Sequence, residues 1–249
     1  PVGGSLWTRV AGLTTQFREL QPDAIALLQP DRTVELAAWR AGIAIRAGFS
    51  RPRCWPQFLT HAVPYRKSSG DRLEAAMNFD VLGLLGIPAP ATFGANLTPD
   101  PVGRERLISK VGPAAARLRQ TAVFHLAAHG QKLRVPLPVP AGLAGWLHRT
   151  QGLAPVLIGS ETEPSLAEFA NLAGVERSDV IELRGKTDLS ETAALFEQAA
   201  LCVARDSGPA HLAAAVGCPT LALFPDLRPI AGPTRWTPLG RRVEVVTVA

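Results

Sequence analysis

The stretch that most constrains the fold runs from residue 206 to 224 and reads DSGPAHLAAAVGCPTLALF. An apolar run at 200–204 precedes it and predicts a buried strand. A turn with Ser207 as the predicted N-cap then starts a short Ala-rich helix, which ends at Gly217. A second apolar run follows at 220–224. The sequence therefore predicts a strand–helix–strand piece of a parallel sheet.

Three residues, Asp206, Ser207 and Gly208, fall where the first strand of this unit ends and its helix begins. Exposed N–H groups and the helix dipole make such a position attractive to a phosphate group. Gly208 lets the backbone approach a ligand closely. Asp206 and Ser207 can instead serve only as a helix cap, and the local pattern leaves both interpretations open. His211, one turn into the helix, faces either the core or this site.

The pattern D-S-G-x-x-H-L-A-x-A-x-G-x-P-x-L-x-L-F, which fills residues 206–224 without a gap, resembles the signature of glycosyltransferase family 9, the bacterial heptosyltransferases. The resemblance implies an α/β fold of the GT-B type, with two Rossmann-like domains on parallel sheets. It implies an ADP-sugar donor, ADP-heptose in the best-known members, and a lipopolysaccharide core or other glycan as acceptor. The transfer that it implies is inverting and needs neither a metal nor a cofactor.

Composition narrows the class of protein. Hydrophobic residues make up 47% of the 249 positions, which supports a sizeable core and argues against disorder. No apolar run reaches the roughly 18 residues of a membrane span, and no basic-then-apolar signal segment opens the chain, so we expect a cytoplasmic protein. Cys54, Cys202 and Cys218 show neither disulfide nor zinc spacing.

The net charge of +5 suits an anionic partner. Nucleic acid is not the favoured one, because no block of five like charges occurs and the aromatic residues, 6% of the chain, do not alternate with arginine. A phosphate-rich glycan acceptor and peripheral contact with the anionic inner membrane explain the charge equally well.

The first part of the chain resembles the second half of the family's N-terminal domain, through a strand at 24–28, a following helix and the sequence RAGF at 46–49. That domain begins in the family with an earlier strand and an Asp thought to be the catalytic base. We therefore expect an incomplete N-terminal domain whose base lies before Pro1, and no catalytic residue is assigned. The expected division is an acceptor-side domain at 1–110 and a nucleotide-sugar-binding domain at 111–249.

The loop after a predicted strand at 121–127 resembles the family segment that binds phosphate, with Val135 in place of its tryptophan. Lys132 is the candidate cation and Arg134 its rival, since a compact ammonium suits a diphosphate oxygen. The other interpretation of Lys132 is an exposed loop lysine without a role.

The sequence GSETE at 159–163 follows another predicted strand and resembles the family's nucleoside-binding loop. A carboxylate there can accept hydrogen bonds from both ribose hydroxyls. Glu161 is the candidate, and Glu163 the alternate, although Glu163 also suits the first turn of a helix. The sequence GKTDL at 185–189 matches the family but is no P-loop, because the spaced upstream glycine is absent.

Two functions from different classes remain at this point. The first is a glycosyltransferase, and the second is a catalytically inactive nucleotide-binding relative or fragment. A nicotinamide-dependent enzyme has little support, because the chain lacks G-x-G-x-x-G. The candidate donor-binding residues are Lys132, Glu161, Asp206, Ser207, Gly208 and His211.

Overall fold

The computed structural model describes residues 5–50, 56–66, 69–126, 135–160, 164–225 and 231–248. The chain divides into two compact units, Pro1–Phe93 and Gly94–Ala249. Each unit combines helices with a parallel sheet. The expected α/β class with parallel sheets is therefore confirmed.

The first unit carries a three-stranded parallel sheet in the order β1-β2-β3. Its helices and strands are α1 (Leu6–Leu20), β1 (Ala24–Leu27), α2 (Arg32–Ala41), β2 (Ile45–Ser50), β3 (His61–Pro64) and α3 (Glu74–Gly83). Asp31 caps α2 by accepting hydrogen bonds from two backbone N–H groups, and Gly42 ends this helix at a φ of 84°. The core between β2 and α3 is formed by Ala47, Phe49, Met77 and Val81.

The second unit carries a six-stranded parallel sheet in the order β6-β5-β4-β7-β8-β9. Its helices and strands are α4 (Pro101–Val111), β4 (Thr121–His125), α5 (Pro138–Gln151), β5 (Ala154–Ile158), α6 (Leu166–Ala173), β6 (Ile181–Glu182), α7 (Leu189–Gln198), β7 (Leu201–Arg205), α8 (Gly208–Ala215), β8 (Thr220–Pro225), α9 (Pro233–Trp236) and β9 (Val243–Val248). The predicted strand–helix–strand unit is confirmed as β7, α8 and β8.

Helices cover both faces of this larger sheet. Successive residues of a strand point to opposite faces, so Val123 and Phe124 of β4 enter different cores. Val123 packs with Leu195 of α7 and Ala213 of α8. Phe124 packs with residues of α5 and α6, and its ring lies 5.9 Å from that of Phe169. The sheet is therefore buried on both sides, and its strand ends are the places left for a ligand.

The boundary between the units differs from the expected one at 110/111, because residues 94–110 belong to the second unit. The N–H of Leu97 donates to the carbonyl of Ala215 over 2.8 Å, and α4 packs along α7. The segment that contains α4 is thus fixed to α7 and to the end of α8 of the second unit.

Ion pairs join α4 to the beginning of α7. Glu191 is only 1% exposed, and its carboxylate accepts a hydrogen bond of 2.7 Å from Lys110 Nζ. The same carboxylate accepts from the N–H of Asp188, whose side chain accepts from the N–H of Glu191, forming a capping box. Burial alone would raise the pKa of Glu191, but the hydrogen bonds from Lys110 and the Asp188 backbone lower the pKa overall.

The lowered pKa of Glu191 determines the direction in which the free energy of unfolding changes with pH. A carboxylate with a depressed folded-state pKa contributes stability above its unfolded pKa, and that stability is lost as pH falls through the folded pKa. We expect Lys110→Met to lower the free energy of unfolding at neutral pH by roughly 1–3 kcal/mol. The difference from wild type should shrink below about pH 4.5, the usual pKa of a glutamate.

Urea unfolding at neutral and acidic pH measures this effect. Arg119→Met, at an exposed position beyond α4, is the control and should change stability little. A Lys110→Met variant whose stability matches wild type at neutral pH would contradict the assignment.

Candidate functional site

The order of the strands reverses between β4 and β7, the two central strands of the larger sheet. From β4 the chain builds outwards through β5 and β6, and it then returns to the centre at β7. Such a reversal leaves a crevice outside the carboxyl ends of the two strands, where ligands bind in open parallel sheets. The register pairs His125 with Ala204, so the residues after both strands meet at one edge.

The turn from Asp206 to Gly208 lies at this edge and leads into α8. Ser207 occupies the N-cap position, as predicted, but its side chain makes no cap hydrogen bond. The hydroxyl instead donates to the carbonyl of Arg205 over 2.9 Å. Two features make a side-chain cap unnecessary. Pro209, the second residue of α8, has no N–H, and the N–H of Ala210 donates to the Ser207 carbonyl over 3.0 Å. The predicted side-chain cap is thus wrong.

Gly208, the first residue of α8, leaves an opening at the helix N-terminus. Its N–H makes no hydrogen bond to another described residue. A Cβ at this position would meet no described atom within 4 Å beyond its chain neighbours and its own helix. Its φ is not positive, so the backbone does not require a glycine here. Together with the helix dipole, this arrangement offers a backbone donor and free space to an anion.

Asp206 and His211 flank the same turn. The distance from His211 Nε2 to Asp206 Oδ1 is 3.9 Å, and their side chains are 41% and 30% exposed. The interpretation of His211 as a core residue is therefore wrong, because it lies beside the turn. The Asp206 carboxylate can accept hydrogen bonds from hydroxyl groups, while the imidazole can donate them.

His125, the last residue of β4, completes this group of side chains, and its Nδ1 lies 3.3 Å from Ser207 Oγ. We call His125, Asp206, Ser207, Gly208 and His211 the switch-point cluster. His125 is not among the site residues predicted from the sequence. The available signal was a polar residue closing an otherwise apolar run, at the end of a strand that is central only in the three-dimensional order.

A second anchored region lies at the neighbouring strand ends, after β5 and β6. The N–H of Gly185 donates to the carbonyl of Gly159 over 2.8 Å. The buried guanidinium of Arg184 forms two hydrogen bonds with Glu182, of 2.8 and 2.6 Å, and a third with the carbonyl of Pro164. Burial alone would raise the pKa of Glu182, but these hydrogen bonds lower it overall. The loop after β5 is therefore held at both of its described ends.

The predicted donor-binding residues divide into two groups. The structure brings together Asp206, Ser207, Gly208 and His211, as the sequence pattern implied. Lys132 and Glu161, with their alternates Arg134 and Glu163, lie outside the described residues. Within the described ranges, no group of three or more His, Cys, Asp or Glu side chains is arranged to hold a metal ion. No helix in the same ranges has the length and apolarity to cross a bilayer.

Comparison with known proteins identifies the family. The sequence profile of glycosyltransferase family 9 (heptosyltransferase) matches residues 103–249, more than half of the chain. The chain belongs to glycosyltransferase family 9. Lipooligosaccharide heptosyltransferase 2 of Haemophilus influenzae is 39% identical to it over 77 residues. That match spans 30% of this chain and 22% of the relative.

Solved structures of family 9 proteins share the fold. The glycosyl transferase family 9 protein from Veillonella parvula superimposes with a TM-score of 0.77 at 23% identity, over 99% of this chain and 69% of that one. E. coli ADP-heptose lps heptosyltransferase II superimposes with a TM-score of 0.72 at 24% identity, over 96% of this chain and 72% of that one. E. coli heptosyltransferase WaaC with ADP superimposes with a TM-score of 0.65 at 19% identity, over 96% of this chain and 72% of that one. The expected GT-B fold is thereby confirmed.

Proposed function

We propose that this family 9 protein is a glycosyltransferase that moves a sugar from an ADP-sugar to a lipopolysaccharide core or another glycan acceptor. Because the family is that of the heptosyltransferases, the proposed sugar is heptose. The family match over residues 103–249 carries this proposal. Two relatives support the donor and the reaction: the Haemophilus protein is named a heptosyltransferase, and the WaaC structure is described with ADP. The switch-point cluster supplies the chemistry at the edge of the sheet where such a donor fits.

The donor diphosphate lies, in this proposal, at the N-terminus of α8. The N–H of Gly208 and the positive end of the helix dipole face it. Lys132, in the segment that follows β4, supplies the cation, with Arg134 as the alternative. Fixed donors and a cation of this kind stabilise the charge that develops on the leaving ADP.

The nucleoside lies towards β5, the neighbour of β4 in the sheet. Glu161 accepts hydrogen bonds from the ribose hydroxyls, and Glu163 is the alternate. Support comes from the flanking residues, since the carbonyls of Gly159 and Pro164 are both bonded to the segment after β6. Both described ends of the segment that carries Glu161 are therefore fixed by hydrogen bonds.

The sugar lies beside Asp206 and His211. A carboxylate repels a diphosphate, so Asp206 suits the sugar hydroxyls, to which it presents only acceptors. In the inverting transfer, an acceptor oxygen bonds to the anomeric carbon as the bond from that carbon to the ADP oxygen breaks. The acceptor proton passes to a base, which we do not assign among these residues. No step in this scheme needs a metal ion.

The setting proposed for this reaction is the cytoplasm, with peripheral contact to the anionic inner membrane. The net charge of +5 favours both that surface and a phosphorylated glycan. Nucleic acid is not a proposed partner.

Substitution of Gly208 tests the diphosphate position. Gly208→Ala places a methyl group in open space, so folding and thermal stability should stay close to wild type. The same methyl group should obstruct the phosphate, and calorimetry should show an ADP affinity lower by about tenfold or more.

Gly142→Ala is the matched control, because Gly142 lies in α5 and an added Cβ there also meets no described atom. That variant should bind ADP as wild type does. Gly208→Ala with unchanged ADP affinity would place the diphosphate elsewhere, and wild-type protein that binds no ADP would contradict the proposed function.

Asp206→Asn tests the sugar position, because asparagine keeps the shape and removes the charge. Ser207, not Asp206, holds the N-cap position, so stability should change little. Affinity for an ADP-sugar should fall by about tenfold, the loss of roughly one charge-assisted hydrogen bond. Affinity for ADP itself should stay the same or rise. Both titrations are run in EDTA, and an equal loss for ADP and ADP-sugar would contradict the assignment.

A further inference from the structure

His125 and Ser207 meet across the centre of the larger sheet. His125 ends β4, and Ser207 follows the end of β7, 82 positions later in the chain. The parallel register pairs His125 with Ala204, which brings the ring beside the turn. The distance from its Nδ1 to Ser207 Oγ is 3.3 Å, and both side chains are half-buried. No donor-binding role proposed above uses His125.

The hydrogen atoms of this contact can be assigned. A serine hydroxyl has one hydrogen and two lone pairs. Ser207 places its hydrogen on the carbonyl of Arg205, which can only accept, over 2.9 Å. Ser207 Oγ therefore presents a lone pair to the ring of His125. It follows that Nδ1 of His125 carries a hydrogen and donates it to Ser207.

This donated hydrogen bond is one of two that hold the hydroxyl away from the helix. A serine at an N-cap ordinarily turns its oxygen towards an N–H of the first helical turn. The Ser207 hydroxyl is held instead between the Arg205 carbonyl and the His125 ring. Without the ring, only the hydrogen bond to the Arg205 carbonyl opposes a rotation of Oγ towards the N–H of Ala210, which now donates to the Ser207 carbonyl. Such a rotation would rearrange the turn just before Gly208.

We infer that His125 is a positioning residue of the donor site: through its Nδ1–H it holds the Ser207 hydroxyl against β7 and keeps the turn from Asp206 to Gly208 in the form that receives the diphosphate. The inference rests on the proposed function, since it requires a nucleotide at this turn. His125 acts through Ser207 and needs no contact with the ligand.

Three substitutions of His125 separate the two ring nitrogens. The amide nitrogen of asparagine can take the place of Nδ1 and donate to Ser207, whereas that of glutamine reaches the place of Nε2. In ADP calorimetry, His125→Ala should raise Kd about tenfold, which is about 1.4 kcal/mol. His125→Asn should stay within about threefold of wild type, and His125→Gln should be as weak as His125→Ala.

A double-mutant cycle shows whether His125 works through Ser207. In a Ser207→Ala background, His125→Ala should change the ADP Kd by less than about twofold, because the group that it positions has gone. His148→Ala is the control, since this histidine of the same unit contacts the carbonyl of Leu153 and not the turn. It should leave ADP affinity unchanged, and thermal unfolding checks that each variant is folded.

Each alternative outcome has a distinct meaning. Equal ADP affinity of wild type and His125→Ala overturns the inference and leaves the proposed function standing. Additive losses in the cycle, or retention by His125→Gln but not by His125→Asn, assign His125 to the ligand itself and overturn positioning. Wild-type protein that binds no ADP overturns the proposed function, and the inference falls with it.

A measurement on the wild-type protein without ligand tests the inference even if the variants fail to fold. Proton–nitrogen NMR correlations of wild-type histidine rings, at about pH 8 where an ordinary histidine is neutral, report which nitrogen carries the hydrogen. We expect His125 to carry it on Nδ1. A ring protonated only at Nε2 would overturn the inference.

Discussion

The parallel pairing of β4 with β7 is the constraint on which the candidate site depends. These strands are central in the sheet, and each is followed by a segment that leaves from the same edge. Val123 and Phe124 fix β4 in two different cores, one on each face of the sheet. A shift of one residue would exchange the faces of both side chains and also separate His125 from Ser207. The packing of the core therefore sets the geometry of the site.

The turn before α8 lacks a side-chain cap, which is a common source of helix stability. A side-chain cap usually contributes about 1 kcal/mol, and here Ser207 directs its hydroxyl to Arg205 instead. Three other helices of the same unit, α4, α6 and α7, have side-chain caps, from Asp100, Ser165 and Asp188. Helices α5 and α9 also lack a side-chain cap, and α8 differs from them in having a serine at its N-cap position that could provide one. Gly208 is the residue that benefits, because its N–H and the space above it stay available.

Local sequence predicted those parts of the molecule that are contiguous in the chain. The turn from Asp206 to Gly208 and His211 were found because one strand and one helix bring them together. His125 could not be found in this way, since its partner is 82 positions away and depends on strand order. The boundary between the two compact units differs from the expected domain boundary for a different reason. Helix α4 attaches through Lys110, through the buried Leu107 and through Gly103, where a Cβ would clash with Ser190, so only part of its contact face is apolar.

The charges around α8 suit two chemically different ligand groups on one short turn. The helix N-terminus attracts an anion, while Asp206 repels it and attracts hydroxyl groups. His211 lies 3.9 Å from Asp206 and, when protonated, offsets that repulsion without removing the carboxylate's acceptors. A nucleotide-sugar presents the matching order, a diphosphate directly followed by a ring of hydroxyls. In the proposed function, the turn thus suits such a donor at the bond that is to be broken, whereas a free nucleotide would satisfy only its phosphate side.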